Sequence, residues 1–190
     1  CLIGLCVVFP DCAILSNILS SNHHLLNDLD KFDVAILARL QADARLTNAE
    51  LAQRVGLSPA PCWRRVRALE KAGYIRGYHA DIDRHKIGLG VLAFVRLDAA
   101  QTAGALTREM EQAIRLLPEV VTCHYISGTG TFELQVVAKD LDSFALFARH
   151  TLLNLPNVKD MQTSFSLGEI KSSHALPLAH LGPMAGQPPS

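Results

Sequence analysis

Apolar residues recur at a helical period in two consecutive segments of the first half of the chain. The segment "DKFDVAILARLQ" (30–41) predicts a helix whose N-cap is Asp30. The segment "TNAELAQRVGLS" (47–58) predicts a shorter helix, because Thr47 and Glu50 have the spacing of a capping box and Gly56 suits a C-cap. The apolar faces of these two helices are expected to comprise Phe32, Ile36, Leu37, Leu40, Leu51, Ala52 and Val55.

A third helix is predicted to follow after a turn of about three residues. Ser58 is its expected N-cap, Pro59 suits the first helical position, and Gly73 ends the segment. Two helices joined by a short turn that contains glycine form a helix-turn-helix arrangement. After Gly73, the segment "YIRGYHADID" (74–83) predicts a short β-hairpin or wing.

The second half of the chain predicts four strands and two helices in the order β-α-β-β-α-β. The strands are expected within 91–97, 119–128, 132–138 and 158–170, and the helices within 105–117 and 141–155. Inward positions are expected at Leu106, Met110, Ile114 and Leu117 in the first of these helices, and at Met161, Thr163, Phe165 and Leu167 in the last strand. This order is that of the ferredoxin-like split unit, whose helices cover one face of the sheet and leave the other for a partner.

The predicted fold class is therefore α+β, with an N-terminal winged helix-turn-helix domain joined to a C-terminal ferredoxin-like βαββαβ sandwich domain. The expected regions are an extension outside the folded domains (1–28), the winged helix-turn-helix domain (29–80), a linker (81–90), the sandwich domain (91–172) and a flexible tail (173–190). The extension has an apolar run too short to span a bilayer and no basic residues at its start, so we expect a cytoplasmic protein without a membrane partner. The five cysteines are an odd number without CxxC spacing, which favours free thiols.

The net charge of the whole chain is zero, but the positive charge lies in the first half. Residues 30–85 hold ten basic residues against seven acidic ones, and the basic residues are densest in "SPAPCWRRVRALEKAGYI" (58–75). On a helical wheel, Cys62, Val66 and Leu69 form an inward side opposite the basic positions. A basic face behind a small, smooth N-terminus suits the major groove of DNA, and the candidate DNA-binding residues are Ser58, Ala60, Pro61, Arg64, Arg65, Arg67 and Lys71.

Within this candidate interface the residues have different expected roles. Arg64 has the donor fork for guanine O6 and N7, whereas Arg67 and Lys71 suit phosphates. Arg65 lies near the core boundary, where it could bind a phosphate or pair internally. The alternative is a solvated basic face that binds no partner. The adjacent capped helix and the short turn argue against it.

Three long segments resemble the Lrp/AsnC family of feast/famine transcription regulators. They are "LDKFDVAILARLQADARLTNAELAQRVGLSPAPCWRRVRALEKAGYIRGYHADID", "LPEVVTCHYISGTGTFELQVVAKDLDSF" and "LPNVKDMQTSFSLGEIK", which together cover roughly residues 29–172. The resemblance implies a winged helix-turn-helix joined to an αβ-sandwich domain that dimerises, often into assemblies of four dimers, and binds small effectors, usually amino acids. The implied partners are therefore double-stranded DNA, further copies of the chain as a dimer, tetramer or octamer, and an amino-acid-like effector.

The loop after the second sandwich strand departs from the family's pattern. The family usually has acidic and aromatic residues there, roughly G-D-[FY]-D-[FY], whereas this chain has "GTGTF" (128–132). Two threonines can form hydrogen bonds, but they lack the charge that would pair with the α-ammonium group of an amino acid. The resemblance places the candidate effector site at His124, Ser127, Gly128, Thr129, Gly130 and Thr131, with a different ligand, or none, left open. For His124, a position on the solvent or interface face of its strand is the simpler interpretation.

Other functions are weighed against this one. The "SGTGTF" glycines are followed by a strand, not by the helix that a phosphate-binding loop requires. Cys123 and His124 are neighbours in a strand and would point to opposite faces, so we expect no enzyme, no catalytic residue, no cofactor and no metal. The open alternatives are an architectural protein that compacts DNA with little ligand response, a sensing or assembly module that has lost DNA binding, and a zinc site, for which the irregularly spaced candidates are Cys1, Cys6, Cys12, His23 and His24.

Overall fold

The computed structural model describes residues 29–101, 104–126 and 132–181. The predictions for residues 1–28, including the zinc hypothesis, lie outside this described part of the chain. The described residues form two compact units. The first unit holds the residues up to Ala80 together with those from Ser173 onward, and the second unit is Asp81–Ser172.

The first unit contains the three predicted helices, α1 (Lys31–Ala42), α2 (Asn48–Val55) and α3 (Pro59–Lys71). Asp30 caps α1 in a capping box with Asp33, and Thr47 caps α2 in a second capping box with Glu50. The small core of this unit consists of Ala35, Ile36, Leu51, Ala52, Val55, Cys62 and Leu69. The periodicity of the sequence therefore predicted both the helices and most of the core they share.

Of the short β-hairpin or wing predicted after α3, the hairpin is wrong. None of residues 72–90, all of which the structure describes, lies in a strand. The chain is instead held against the end of α3, because the N–H groups of Tyr74 and Ile75 donate to the Leu69 carbonyl and the Tyr78 hydroxyl donates to Glu70 at 3.0 Å. A two-stranded ribbon has little stability without a third strand or a helix to pack on, so these contacts prevail.

The C-terminal segment belongs to the first unit as well. The N–H of Leu176 donates to Gln41 Oε1 at 2.7 Å, and its carbonyl accepts from Gln41 Nε2 at 3.2 Å. A short 3₁₀ turn, Ala179–Leu181, follows. Of the predicted flexible tail (173–190), residues 182–190 lie outside the described part.

The second unit has the predicted βαββαβ order. Its elements are β1 (Val91–Ala99), α4 (Ala105–Arg115), β2 (Val120–Tyr125), β3 (Phe132–Ala138), α5 (Leu141–His150) and β4 (Val158–Phe165). The four strands form one antiparallel sheet in the order β2-β3-β1-β4. The predicted linker (81–90) lies within this unit, where Arg84 donates to the carbonyls of Leu89 and Gly90.

The helices α4 and α5 cover one face of this sheet. The buried core is formed by Ala93, Val95, Leu97, Met110, Ile114, Phe132, Leu134, Val136, Ala138, Phe144, Ala148 and Leu152. Two inward predictions are wrong at element ends. Leu106 is exposed because Thr107 takes the inward position in the first turn of α4, where its hydroxyl donates to the Gln101 carbonyl. Leu167 is fully exposed because β4 ends at Phe165.

The other face of the sheet, which we term the open face, presents residues in rows across the strands. One row joins His124, Glu133, Arg96 and Gln162, and the next joins Thr122, Gln135, Phe94 and Ser164. Arg96 forms a salt bridge with Glu133 at 3.3 Å. Three enclosed polar atoms in this unit, Arg96 Nε, Asp98 Oδ1 and Thr122 Oγ1, have no hydrogen-bond partner among the described residues.

Candidate nucleic-acid interface

The turn between α2 and α3 is built around Gly56. Its φ of 73° lies in the left-handed region that favours glycine, and its N–H donates to the carbonyls of Ala52 and Gln53. Leu57 then donates its own N–H to the Ala52 carbonyl at 2.9 Å and leads directly into Ser58, the N-cap of α3. This geometry confirms the predicted helix-turn-helix.

The inward side of α3 fixes the orientation of its outward side. Cys62 and Leu69 are buried in the core of the first unit, and Val66 packs against the same cluster. Burial raises the pKa of the Cys62 thiol, so this cysteine is a small core residue and not a reactive one. The face opposite these three residues is therefore held toward solvent.

The N-terminus of α3 is small and nearly devoid of free N–H groups. Ser58 occupies the N-cap position but its side chain accepts no hydrogen bond. Pro59 and Pro61 have no N–H, which leaves only Ala60 as a donor among the first three helical residues. Asn48, the first residue of α2, donates from Nδ2 to the Pro59 carbonyl at 2.9 Å and so ties the starts of the two helices together.

The outward side of α3 is exposed and positively charged. Ala60, Arg64, Arg67 and Lys71 are all exposed there. Within the described residues, Arg64 and Lys71 form no salt bridge and no side-chain hydrogen bond. Two cations therefore project from this face with their full charge available to a partner.

Arg67 differs from these two because it belongs to a side-chain network. It forms a salt bridge with Glu70 at 2.9 Å, and its Cζ lies 5.6 Å from the centroid of the Trp63 ring. The second oxygen of Glu70 accepts the hydroxyl of Tyr78. Burial and this bond to Glu70 raise the pKa of Tyr78, which keeps its hydroxyl a donor. The network holds the guanidinium of Arg67 in place and partly offsets its charge.

Arg65 faces the other way, toward α1. Its Nη1 lies 2.8 Å from Asp30 and 2.9 Å from Asp33, and its Cζ lies 5.5 Å from the Phe32 ring centroid. The hydrogen bond and charge of Asp33 raise the pKa of Arg65, against the effect of burial. Desolvation by burial raises the pKa of Asp30. Hydrogen bonds from the backbone N–H groups of Asp33 and Phe32, together with the charge of Arg65, outweigh that effect and lower the pKa overall. Of the two roles that the sequence allowed for Arg65, the structure shows the internal pair.

Sequence reasoning did not single out Trp63, Glu70 or Tyr78. Trp63, the only tryptophan of the chain, is 52% exposed. Its position on a helical wheel lies between the buried Val66 and the exposed Arg67, and a large aromatic residue there suggests core packing. The available signal was its spacing of four residues from both Pro59 and Arg67, which places the three on one stripe of the helix.

Among the six predicted effector-site residues, the structure describes His124. It is exposed and stands on the open face opposite Glu133. Ser127, Gly128, Thr129, Gly130 and Thr131 lie outside the described residues. His124 points away from its neighbour Cys123, which shares the helix-covered face with Leu134. The two are therefore not a nucleophile and base pair.

A recess lies between α4 and the edge strand β2. It is lined by Glu111, Ile114, Arg115, Val120, Val121, Thr122, Cys123, Tyr125 and Phe132. Burial, and then the charge of Glu111, raise the pKa of Cys123, while Arg115 lowers it. No group of three or more metal-ligating side chains lies together in the described ranges. No helix in those ranges is long and apolar enough to cross a bilayer.

Comparison with known protein families places each unit in a recognised class. Residues 29–76 match the family of winged helix-turn-helix DNA-binding domains. Residues 92–176 match the Lrp/AsnC ligand-binding domain. The two matches coincide with the first three helices and with the sheet and its helices.

Individual relatives are similar over most of their length. The leucine-responsive regulatory proteins of Klebsiella pneumoniae and Escherichia coli (strain K12) are each 38% identical to this chain over 149 residues, which are 78% of this chain and 91% of theirs. The crystal structure of a transcriptional regulator from Neisseria meningitidis in complex with L-Met aligns with a TM-score of 0.77 at 42% identity, over 80% of this chain and 99% of that one. An AsnC family regulator from Agrobacterium tumefaciens aligns with a TM-score of 0.75 at 32% identity, over the same shares of the two chains.

Proposed function

The chain belongs to the Lrp/AsnC family of transcription regulators, and on that premise we propose that it contacts operator DNA through the outward face of α3. It is a DNA-binding regulator whose second unit is of the ligand-binding class. The observation that supports the proposed interface best is the pair of unpartnered cations, Arg64 and Lys71, on a helix whose other side is fixed in the core. Such a face suits a duplex, whose phosphates attract it without regard to sequence and whose base edges select among sequences.

The residues of this face divide by role. Arg64 lies one turn from the start of α3 and reads base edges, guanine being the preferred partner of its donor fork. Lys71 and Arg67 lie nearer the other end and contact phosphates. Ser58, Ala60 and Pro61 form the narrow tip that enters the groove. Arg65 supports the interface indirectly by joining α3 to α1.

The second unit pairs two copies of the chain through the open face of its sheet. Its row of His124, Glu133, Arg96 and Gln162 alternates charge and polarity, and the next row includes the half-buried Phe94. A dimer of this kind presents two copies of α3 to DNA, so its operator would be a pseudo-palindrome.

The effector is a small, amino-acid-like molecule held near the loop of residues 127–131. The Neisseria meningitidis relative binds L-Met and others are leucine-responsive, so these two amino acids are the first ligands to test. Because Thr129 and Thr131 stand where the family usually has acidic residues, we expect weak binding by the native chain. The double variant Thr129→Asp, Thr131→Asp should bind more tightly in calorimetry. No binding by either protein would remove the loop as the effector site.

The proposed DNA-binding function is tested by selecting duplexes from a random-sequence library and then footprinting the protein on the selected duplexes. We expect a consensus with two half-sites about one helical turn apart and an affinity that falls steeply with salt. Binding without any consensus would favour the architectural alternative. Lys71→Ala should lower the slope of log affinity against log salt by about one and leave the consensus unchanged.

A further inference from the structure

An apolar recess lies in the middle of the proposed DNA-binding surface. It is lined by Pro59, Ala60, Trp63 and Arg64 of α3 and by Asn48 of α2. The ring of Pro59, the methyl group of Ala60 and the indole of Trp63 supply carbon surface at its walls. Nothing in the helix-turn-helix core requires these three side chains to be exposed together, because the core is made by Cys62, Val66 and Leu69 on the other side of the helix.

This recess is chemically unlike the rest of the surface around it. Phosphates and most base edges present charge or hydrogen-bonding groups, which gain nothing from a carbon-lined recess. The one apolar group that an unmodified duplex presents in the major groove is the C5-methyl of thymine. We propose that the recess under Trp63 binds a thymine methyl group and that Trp63 thereby determines sequence specificity. This inference rests on the proposed DNA-binding function and refines it.

The walls of the recess are held in place before DNA arrives. Asn48 fixes the Pro59 carbonyl by a hydrogen bond of 2.9 Å. Trp63 lies one turn from Pro59 and one turn from Arg67, whose guanidinium is itself held by Glu70. An indole held beside the anchored guanidinium of Arg67 loses less side-chain freedom on binding, so its contact with a methyl group costs less entropy.

The position of Arg64 predicts where the thymine lies. Arg64 both lines the recess and has no partner in the described residues, so the same part of α3 offers a guanine-reading fork and a methyl-binding wall. The half-site should therefore contain a guanine with a thymine beside it on one of the two strands. Removal of the methyl group alone, with every hydrogen bond kept, isolates the contribution of the recess.

Replacing thymidine with deoxyuridine removes only the C5-methyl group. Two random-sequence libraries, one synthesised with thymidine and one with deoxyuridine, are selected with the full chain, and the thymidine consensus is then prepared with single T-to-U replacements. We expect one position per half-site at which uracil weakens binding about fourfold, and about 15-fold when both half-sites are changed, the effect of burying one methyl group at each. Equal affinity for thymine and uracil at every position would overturn the inference.

Variants assign the effect to Trp63. Trp63→Gln should bind the uracil and thymine duplexes equally, whereas Trp63→Leu, which keeps an apolar wall, should retain most of the preference. Lys71→Ala is the matched control, because it should weaken both duplexes alike and keep their ratio. A uracil penalty that persists in Trp63→Gln would come from duplex shape and would overturn the inference. Because Trp63 is half exposed, circular dichroism should show both variants folded.

The same experiment separates this inference from the function on which it rests. If no consensus emerges from the thymidine library, the proposed sequence-specific function fails. If a consensus emerges that is indifferent to thymine methyl groups, the function stands and the role of Trp63 fails.

Discussion

The outward face of α3 and the open face of the sheet are both turned away from their cores, but their charges are arranged differently. On α3 the exposed ionised groups are mainly basic, and Arg64 and Lys71 have no partner in the described chain. On the sheet, Arg96 is paired with Glu133 across neighbouring strands, and the same row continues to His124 and Gln162. The first surface has an excess of positive charge, whereas the open face carries both signs, with Arg96 among the carboxylates of Glu133, Asp98 and Asp160.

This difference indicates what each surface can bind. An excess of positive charge favours a polyanion, and its attraction weakens as salt screens it. A surface that carries both signs together with apolar residues such as Phe94 favours a partner of matching pattern, and a second copy of the same face supplies one. The following changes test whether the two surfaces have separate roles.

The largest expected effect is on the open face. Phe94→Glu would bury an unpaired charge between two copies, which costs about 3–5 kcal/mol and weakens self-association more than 100-fold. Light scattering at micromolar concentration should then show a monomer. Leu146→Glu, the same kind of change at an exposed position of α5, is the control and should leave the dimer intact. A dimer that survives Phe94→Glu would place the self-association surface elsewhere.

Arg64→Ala should have the next largest effect, and only on DNA. Loss of a bidentate contact to guanine costs about 1–3 kcal/mol at the preferred site and relaxes the preference at that base pair. Fluorescence anisotropy with the selected duplex and with random duplex measures both quantities. An equal loss on the two duplexes would mean that Arg64 contacts a phosphate.

Arg65→Ala should act on stability instead. The variant loses the pairs with Asp30 and Asp33, which are partly exposed, so we expect a loss of about 1 kcal/mol and a melting temperature lower by a few degrees. Arg64→Ala, its neighbour on the outward face, should melt like the wild type. If the two variants melt alike, the inward and outward roles of the neighbouring arginines are not distinct.

An effect of similar size distinguishes the N-cap of α2, Thr47, from the N-cap of α3, Ser58. Thr47→Ala removes a cap hydrogen bond to Glu50 N–H and should cost about 1 kcal/mol. Ser58→Ala should leave the free energy of unfolding unchanged, because the Ser58 side chain accepts no such bond. Urea denaturation measures both. A lower DNA affinity of folded Ser58→Ala would then assign its hydroxyl to the duplex.

The smallest effect concerns acid stability. The pKa of Asp30 is lowered below its ordinary 3.8. Its ionised carboxylate therefore stabilises the fold above about pH 3.8, and this stabilisation is lost as the pH falls through the lowered pKa. Asp30→Asn removes this titration. The melting temperature of the wild type should therefore fall further between pH 5 and pH 3 than that of the variant. Parallel losses would mean that the Asp30 charge is not linked to folding.

The sequence predicted most of the fold because the fold follows local patterns. The periodicities of α1 to α3 and the alternation of Phe132, Leu134 and Val136 each need only one segment to be seen. The hairpin expected after Gly73 is absent, and the segment instead places Tyr78 against Glu70, a contact that no local pattern encodes. The direction of Arg65 was open for the same reason, since its partners lie 32 and 35 residues away on α1.

The site was predictable in part. Arg64 and Lys71 followed from the wheel, because a single helix sets their direction. Trp63 did not, because its angle lies between the two faces and only the structure shows its ring exposed beside Arg67. The effector loop depends on residues 127–131 outside the described part, and its assignment still rests on the sequence.

The two hydrogen bonds between Gln41 and Leu176 have a consequence for folding during translation. The two residues are 135 positions apart, so Gln41 emerges from the ribosome roughly 7–27 s before Leu176 does, at synthesis rates of about 5–20 residues per second. The three helices can fold in that interval, but the last hydrogen bonds of their unit form only after translation of the sheet is finished. A nascent chain arrested before Leu176 would thus have a folded helical unit that lacks its final contact.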